Sequence, residues 1–278
     1  MNKYLVLANN DKDIDLALSK KIVEYIESKG FFANIVSDVI NDYDGIVIKE
    51  EYIVDAKAVI VIGGDGTMLR AAAGLGEHDI PLLGINLGTI GFLTEVEVSN
   101  LYDALDRLMT MDYSVEKRMM IEGTLKGKKY KSLNDVVITR AGFSRIIGLN
   151  IYVNDELLDT YEADGVIVST PTGSTGYNLS AGGPIVSPKS KAIVVTPISP
   201  HSLTSKSVVF DSEDVIRIEI VKKRKTQETE AIVSFDGSNN EELSAGDTII
   251  VKKAKKEIEL VKLYDMNFYR VLRDKIGG

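Results

Sequence analysis

Val59-Ile60-Val61-Ile62-Gly63-Gly64-Asp65-Gly66-Thr67 sets one carboxylate among three glycines directly after an apolar strand. Glycine lets backbone N–H groups approach a ligand with no Cβ in the way. Thr67 is placed to N-cap a helix that opens with Met68-Leu69-Arg70-Ala71-Ala72-Ala73. A helix N-terminus favours anions, phosphate above all. An aspartate in such a loop repels phosphate, which points to a chemical role for it, either taking a proton from a hydroxyl or holding a metal ion. Both belong to phosphoryl transfer onto an alcohol. Gly-Asp-Gly also makes ordinary tight turns, so the loop alone leaves both readings open.

A second run is longer and more polar. Asp164-Gly165-Val166-Ile167-Val168-Ser169-Thr170-Pro171-Thr172-Gly173-Ser174-Thr175-Gly176-Tyr177-Asn178 leads into Leu179-Ser180-Ala181-Gly182-Gly183-Pro184-Ile185. An apolar strand ends in small hydroxyl residues and glycines with one aromatic. Small residues make room for a flat ring, hydroxyls and backbone groups supply hydrogen bonds, and Tyr177 can stack or cap.

The elements that must position these residues fall into two rhythms. Tyr4–Ala8, Phe31–Val36, Ala58–Ile62 and Pro81–Ile85 read as strands. Ile14, Leu16, Leu18, Ile22, Val23 and Ile26 recur at helical spacing up to Gly30, and Thr67–Leu75 and Leu101–Met109 also read as helices. This βαβα order implies a parallel sheet covered on both faces. Ligands of such sheets bind beyond the carboxyl ends of the strands. The Gly63–Thr67 loop and the Asn86-Leu87-Gly88-Thr89-Ile90-Gly91-Phe92 loop both leave such ends and are expected to face one cleft. From about Val115 apolar and polar residues alternate, at Val136 and Ile138, at Leu149, Ile151 and Val153, at Val215, Ile216, Ile218 and Ile220, and at Ile249 and Val251. Asn154-Asp155, Asp211-Ser212 and Ala245-Gly246-Asp247 supply turns. The expected organisation is an α/β domain with a parallel sheet over 1–114, an all-β domain over 115–262, and a final helix over 263–278 that returns to the N-terminal domain. Lys222-Lys223-Arg224-Lys225 reads as a solvated hairpin tip.

Composition narrows the classes of function. A chain of 278 residues buries about three-quarters of its unfolded surface, enough for two packed domains. Lys and Arg number 33 against 41 Asp and Glu, a net charge of −8, which argues against nucleic acid as the main partner. Cysteine is absent, so disulfides, thiolate nucleophiles and cysteine–zinc sites are excluded. His78 and His201 are the only histidines. No apolar run has the length of a membrane span, and Met1-Asn2-Lys3-Tyr4-Leu5-Val6-Leu7 is too soon polar for a signal peptide. The expected setting is the cytoplasm.

Gly63-Gly64-Asp65-Gly66-Thr67 resembles the signature of a kinase superfamily that groups NAD kinases, diacylglycerol and sphingosine kinases, and 6-phosphofructokinases. The run Thr170–Tyr177 is similar to the Thr-Pro-Thr-Gly-Ser-Thr-(Ala/Gly)-Tyr motif of NAD kinases, which is far more specific. Asn134-Asp135 resembles that family's Asn-Glu pair. Asn86–Leu93 is similar to its second glycine loop, Pro200-His201-Ser202-Leu203-Thr204 to a later loop, and Phe268-Tyr269-Arg270-Val271-Leu272-Arg273 to its closing helix. The chain is identified by these residues as a member of the bacterial NAD kinases.

The resemblance implies phosphorylation of the adenosine ribose 2′-hydroxyl of NAD to give NADP, with ATP or polyphosphate as donor and Mg²⁺ or another divalent cation as cofactor. Asp65 matches the general base, a role worth about 10²–10⁴-fold in rate. Gly64 and Gly66 would admit NAD to the backbone, and Phe92 would line the adenine side. Asn134 and Asp135 match the pair that grips ribose hydroxyls, each such carboxylate contact being worth roughly 1.5–3 kcal/mol; Asp135 is one methylene shorter than the family's Glu. Thr172, Thr175, Gly176, Tyr177 and Ser180 match positions around the dinucleotide. Gly63, His201 and Asp236 fall on the phosphate-donor side. Asp164 matches a residue that reaches NAD in a neighbouring subunit, which implies a homo-oligomer, a dimer or tetramer. No residue is assigned as a metal ligand. The chain departs from many relatives at Glu162-Ala163, where Arg-Gly is usual, and at Ser238-Asn239-Asn240, which follows Phe235-Asp236-Gly237 where some relatives carry arginines. Both changes thin the positive charge near the phosphates. Arg70, Arg140, Arg145 and Lys206 are the remaining cations, each also readable as solvated surface.

Other classes fit less well. A lipid kinase would share the first loop but not the Thr170–Tyr177 run, nor does the acidic chain show a basic apolar face for membranes. A 6-phosphofructokinase would not join Asn134-Asp135 to a late β domain. A dehydrogenase needs Gly-x-Gly-x-x-Gly, and Leu69 stands where the third glycine belongs. No Gly-Lys-(Ser/Thr) marks a P-loop. An NAD-sensing module without turnover is opposed by the intact Asp65 and Asn134.

Overall fold

The computed structural model describes residues 2–8, 12–36, 48–88, 91–141, 146–202, 205–222, 230–264 and 268–276. Thr89, Ile90, Arg145, Leu203, Thr204, residues 223–225 of the basic cluster and Asn267 lie outside them. In chain order the elements are β1 (Lys3–Ala8), α1 (Ala17–Ser28), β2 (Phe32–Val36), α2 (Glu50–Ile53), β3 (Ala56–Ile62), α3 (Asp65–Gly74), β4 (Leu82–Asn86), β5 (Val96–Glu97) and α4 (Leu101–Met109). There follow β6 (Ser114–Leu125), β7 (Lys128–Ser132), β8 (Asp135–Arg140), β9 (Ile147–Val153), β10 (Glu156–Ala163), β11 (Gly165–Ser169), α5 (Tyr177–Ser180), β12 (Ala192–Ile198) and β13 (Val208–Asp211). The chain closes with β14 (Ile216–Val221), β15 (Glu230–Phe235), β16 (Ser238–Ser244), β17 (Thr248–Lys262) and α6 (Phe268–Ile276). Two compact units result. The first comprises the described residues up to Arg118 together with those from Ile258 onward, and the second comprises Met119–Glu257. The chain passes from the first to the second within β6 and back within β17.

In the first unit β2, β1, β3 and β4 lie side by side and parallel, and the end of β17 joins β4 in parallel through Leu260 and Leu82. These strands are apolar along their length because both faces are covered: Leu5, Val6, Ile60, Val61, Leu83 and Ile85 are fully buried. Helix α4 buries Leu101, Ala104, Leu105 and Leu108, the i, i+3, i+4, i+7 stripe of an amphipathic helix. The apolar pattern that begins at Ile14 is helical only from Ala17. Residues Ile14–Leu16 form a single 3-10 turn, because the buried Asp13 carboxylate accepts the Leu18 and Ser19 N–H groups at 2.8 and 2.9 Å and fixes the start of α1 there. Gly30, at φ +84°, follows its end.

The second unit is antiparallel. One sheet runs β10-β9-β14-β17 and the other β13-β12-β11-β8-β15-β16. Their inner faces share one core that includes Val136, Ile138, Leu149, Ile151, Val166 and Ile218, as in packed sheets generally. The unit is built of β-sheets as expected, and the polar run after β11 adds only a 3-10 turn at Gly173–Thr175 and the four-residue α5. One expectation is corrected here. The strands flanking the basic cluster do not form a hairpin: β14 pairs β9 and β17, whereas β15 pairs β8 and β16.

Candidate active site

In the first unit the two glycine loops meet. Gly63 N–H donates to Ile85 C=O at 2.9 Å, tying the end of β3 to that of β4. Helix α3 begins at Asp65 with Gly64 as its N-cap, two residues before the expected start. Thr67 is not the cap. It is buried within the first turn, and a Cβ at Gly63 would come within 2.3 Å of its hydroxyl. The Gly64 carbonyl accepts from Thr67 and Met68 N–H at 3.0 and 3.2 Å, and Gly64 has no side chain to cap the N–H groups that precede them.

The Asp65 carboxylate is half-buried and held from the facing loop. Phe92 N–H donates to its Oδ2 at 2.8 Å and Leu93 N–H to its Oδ1 at 3.0 Å. Gly91 makes this approach possible, since a Cβ there would stand 1.9 Å from Oδ1. Gly91 N–H in turn donates to Thr94 Oγ1 at 3.1 Å. A carboxylate offers about four lone-pair directions, so two bonds leave Asp65 able to accept a third. The Phe92 ring lies 5.8 Å from that of Phe268 on α6, and Lys275 Nζ is 5.5 Å from its centre. Arg118, almost wholly buried, pairs with Glu116 at 2.8 Å. Burial holds its guanidinium below the usual range, against the pull of Glu116 and of the nearby Asp65 charge.

In the second unit the polar run is folded onto Asn134. The Asn134 carbonyl accepts from Thr170 N–H at 2.8 Å and from Ser169 Oγ at 3.3 Å. A Cβ at Gly173 would meet that carbonyl at 2.2 Å, and one at Gly176 would lie 3.5 Å from Asn134 Nδ2. Gly173 is therefore a close-approach position, whereas a Cβ at Gly176 would make only ordinary contact with Asn134. Thr172 is buried, Thr175 half-buried and Ser180 exposed, while Tyr177 at the head of α5 is 44% exposed. Asp135 is almost wholly buried, and among the described residues no hydrogen bond reaches its carboxylate. Burial first, and the charge of Asp236 second, push its carboxyl up to about 7. Asp236 is pushed up to about 6 by burial, opposed by the backbone N–H groups of Leu133, Asp135 and Asn134.

The chain matches the ATP-NAD kinase N-terminal domain over residues 5–113 and the ATP-NAD kinase C-terminal domain over 133–263. It is 46% identical to the NAD kinase of Lachnoclostridium phytofermentans, covering 100% of this chain and 99% of that one. It is 45% identical to the NAD kinase of Agathobacter rectalis over the same shares. The chain belongs to the NAD kinase family. It is accordingly a phosphotransferase with an alcohol as acceptor. Among solved structures it resembles an NAD kinase from Archaeoglobus fulgidus in complex with ATP, with a TM-score of 0.78, 25% identity and coverage of 100% and 99%. It shares its fold with yeast NADH kinase complexed with NADH, with a TM-score of 0.87, 24% identity and coverage of 100% and 88%.

The other residues singled out in this NAD kinase chain have less uniform settings. Arg140 is not free surface: its Nε donates to Asp164 Oδ1 at 2.8 Å. Among the described residues the buried Nε of Arg70 has no hydrogen-bond partner, whereas Lys206 and His201 are exposed; His201 N–H donates to Glu162 C=O at 2.8 Å. Among the described residues no group of three or more His, Asp or Glu is gathered to hold a metal ion, and no helix is long and apolar enough to cross a membrane. Sequence reasoning missed Arg118, whose signal is only a cation in an apolar strand. It also missed Asn178, which is wholly buried. Asn178 donates to Ser174 and Pro184 carbonyls at 3.1 and 3.0 Å and accepts from Thr196 Oγ1 at 2.7 Å. Its signal was present, as an amide next to Tyr177 within the motif. Lys12 was missed as well; its Nζ would lie 3.7 Å from a Cβ at Gly64.

Proposed function

We propose that the chain transfers the terminal phosphoryl group of ATP to the 2′-hydroxyl of the adenosine ribose of NAD, with Asp65 as general base. The Asp65 carboxylate takes the hydroxyl proton, the ribose oxygen bonds to the γ-phosphorus, and the bond to the β–γ bridging oxygen breaks to release ADP. The single observation behind this assignment is the carboxylate itself, fixed by the Phe92 and Leu93 amides with acceptor capacity left. A base held in one orientation avoids the cost of ordering it during the reaction. Asn134 and Asp135 hold the ribose hydroxyls. Thr172, Thr175, Gly176, Tyr177 and Ser180 surround the dinucleotide, Gly64, Gly66 and Phe92 take the remaining NAD contacts, and Gly63 and His201 lie toward the donor. A divalent cation, Mg²⁺ by preference, would supply charge neutralisation at the donor's phosphates, and such an ion needs only one or two protein carboxylates. The names of the relatives support NAD as acceptor, and the ATP complex of the Archaeoglobus fulgidus relative supports ATP ahead of polyphosphate as donor. We further infer a homo-oligomer, a dimer or tetramer, in which Asp164 serves a neighbouring subunit. The cytoplasm, where NAD and ATP are both at hand, is the compartment this reaction fits.

The test is an end-point assay for NADP⁺ with NAD⁺, ATP and Mg²⁺, read by a dehydrogenase specific for NADP⁺. Asp65→Asn should leave NAD binding near wild type and cut turnover by about 10²–10⁴-fold. Turnover near wild type in that variant removes Asp65 as the base. A folded wild-type chain that binds NAD yet yields no NADP⁺ with ATP, polyphosphate or NADH removes the kinase reaction.

A further inference from the structure

Phe235 pairs Ser238 across the β15–β16 hairpin. The two residues between them, Asp236 and Gly237, both have positive φ, +50° and +72°. This is the two-residue turn that favours Asp-Gly and Asn-Gly. Turn chemistry accounts for an aspartate here but not for the direction of its side chain. The Asp236 carboxylate leaves its own hairpin and accepts three consecutive backbone N–H groups. Leu133 donates to Oδ2 at 2.7 Å, and Asn134 and Asp135 donate to Oδ1 at 2.8 and 3.0 Å. Asp236 N–H donates to the Asp135 carbonyl at 3.0 Å. From the other side Thr170 Oγ1 donates to the Leu133 carbonyl at 2.6 Å, and Thr170 N–H to that of Asn134 at 2.8 Å.

Three successive amides turned to one point form a concavity that binds anions, and here it is filled by the chain's own carboxylate. The backbone of 133–135 is thereby fixed from both sides, while the carboxylate of Asp135 has no hydrogen bond from the described residues. We propose that Asp236 is a positioning residue: it locks the Leu133-Asn134-Asp135 backbone so that the side chains of Asn134 and Asp135 meet the ribose of NAD. This rests on the reading above that those two residues hold NAD. It moves Asp236 away from the donor phosphates, where the family resemblance put it. Burial raises both carboxyls, and the three amides favour the charged form of Asp236. Asp135 is then the member of the pair that awaits a partner.

Asp236→Asn tests this with the turn preserved, since Asn-Gly suits the same backbone. The amide oxygen can keep the two bonds at Oδ1, but its NH₂ then faces Leu133 N–H, donor against donor. The KM for NAD should rise about tenfold, the usual scale for an unpaired buried donor. The kcat and the KM for ATP should stay within about threefold of wild type. In an Asn134→Ala background the same change should raise the KM for NAD by less than it does in the wild type, because the part acting through Asn134 is already lost and only the part acting through Asp135 remains. A KM for NAD unmoved by Asp236→Asn overturns the proposal. So does a rise that adds in full to that of Asn134→Ala, or a loss confined to the KM for ATP. If Asn134→Ala alone leaves the KM for NAD unmoved, the reading of that pair fails instead. Amide hydrogen exchange on the wild-type protein tests the lock without a variant: the Leu133, Asn134 and Asp135 amides should be as protected as those in the centre of β8, and rapid exchange overturns it.

Discussion

At the scale of single residues, the two aspartates assigned to the reaction are treated in opposite ways by their surroundings. Asp65 is given hydrogen bonds by two amides. Asp135 is buried beside another carboxylate, and its carboxyl is pushed up to about 7 from 3.8. A carboxyl raised by burial beside a second carboxylate is a candidate for function. The linkage has a definite sign. The folded state holds the Asp135 proton more tightly than the unfolded state does, so the stability this residue contributes is full below 3.8 and is lost as pH rises through about 7. Asp135→Asn carries no charge at any pH. Its unfolding free energy relative to wild type should therefore increase between pH 5 and pH 8, by roughly 1–3 kcal/mol, while its affinity for NAD falls. Urea unfolding of both proteins at the two pH values measures this. A difference that stays constant with pH would show that Asp135 does not bear the burial penalty. The expected pattern, stability gained where function is lost, is common at binding sites.

At the scale of elements, the proposed base Asp65 depends on a contact between two loops. The second glycine loop supplies the amides that fix Asp65, and Gly91 is where it passes closest. Gly91→Ala should push the carboxylate off Phe92 and Leu93. Its kcat should fall by about ten- to a hundredfold, the scale for a misplaced catalytic group, with the KM for NAD and the circular dichroism spectrum close to wild type. A variant with wild-type kcat would mean that these amides do not set the orientation of the base. Much of this architecture was legible in the sequence. Strands β1, β3 and β4 are apolar runs between helical repeats, α4 has the stripe of its packing face, and the glycines mark both loops. What was not legible depends on tertiary contacts. Lys128–Ser132 and Ser238–Ser244 are polar stretches that become β7 and β16 by pairing with β6 and β15, since cross-strand partners outweigh propensity there. Thr67 has the composition of a cap, but Gly64 takes that place because Thr67 packs against Gly63. The polar groups of 133–135 and Asp236 lie about a hundred residues apart, so nothing local could join them.

At the scale of the whole molecule, the family match extends along the entire chain, which leaves the subunit arrangement as the level at which sequence patterns are silent. Asp164 carries that question. In this chain it pairs with Arg140 at 2.8 Å, both side chains about a third exposed. A pair so exposed is worth at most about 1 kcal/mol, so exchanging it for a ligand contact costs little. If Asp164 serves a neighbour's site, Asp65→Asn and Asp164→Ala damage different chains' contributions to one site and should complement. A heteromer then carries one site with an intact Asp65 from one subunit and an intact Asp164 from the other. Random pairing in equal amounts makes half the dimers mixed with one good site each, about a quarter of wild-type activity. The mixture, refolded or exchanged to equilibrium, should therefore be far more active than the sum of the two variants measured apart. Activity equal to that sum would place Asp164 at its own chain's site. Asp164→Ala with undiminished activity by itself would remove it from the reaction altogether. The same samples, sized by sedimentation, decide whether the exchanging unit is a dimer or a tetramer, since independent dimers within a tetramer keep the one-quarter limit and its sedimentation coefficient alone differs.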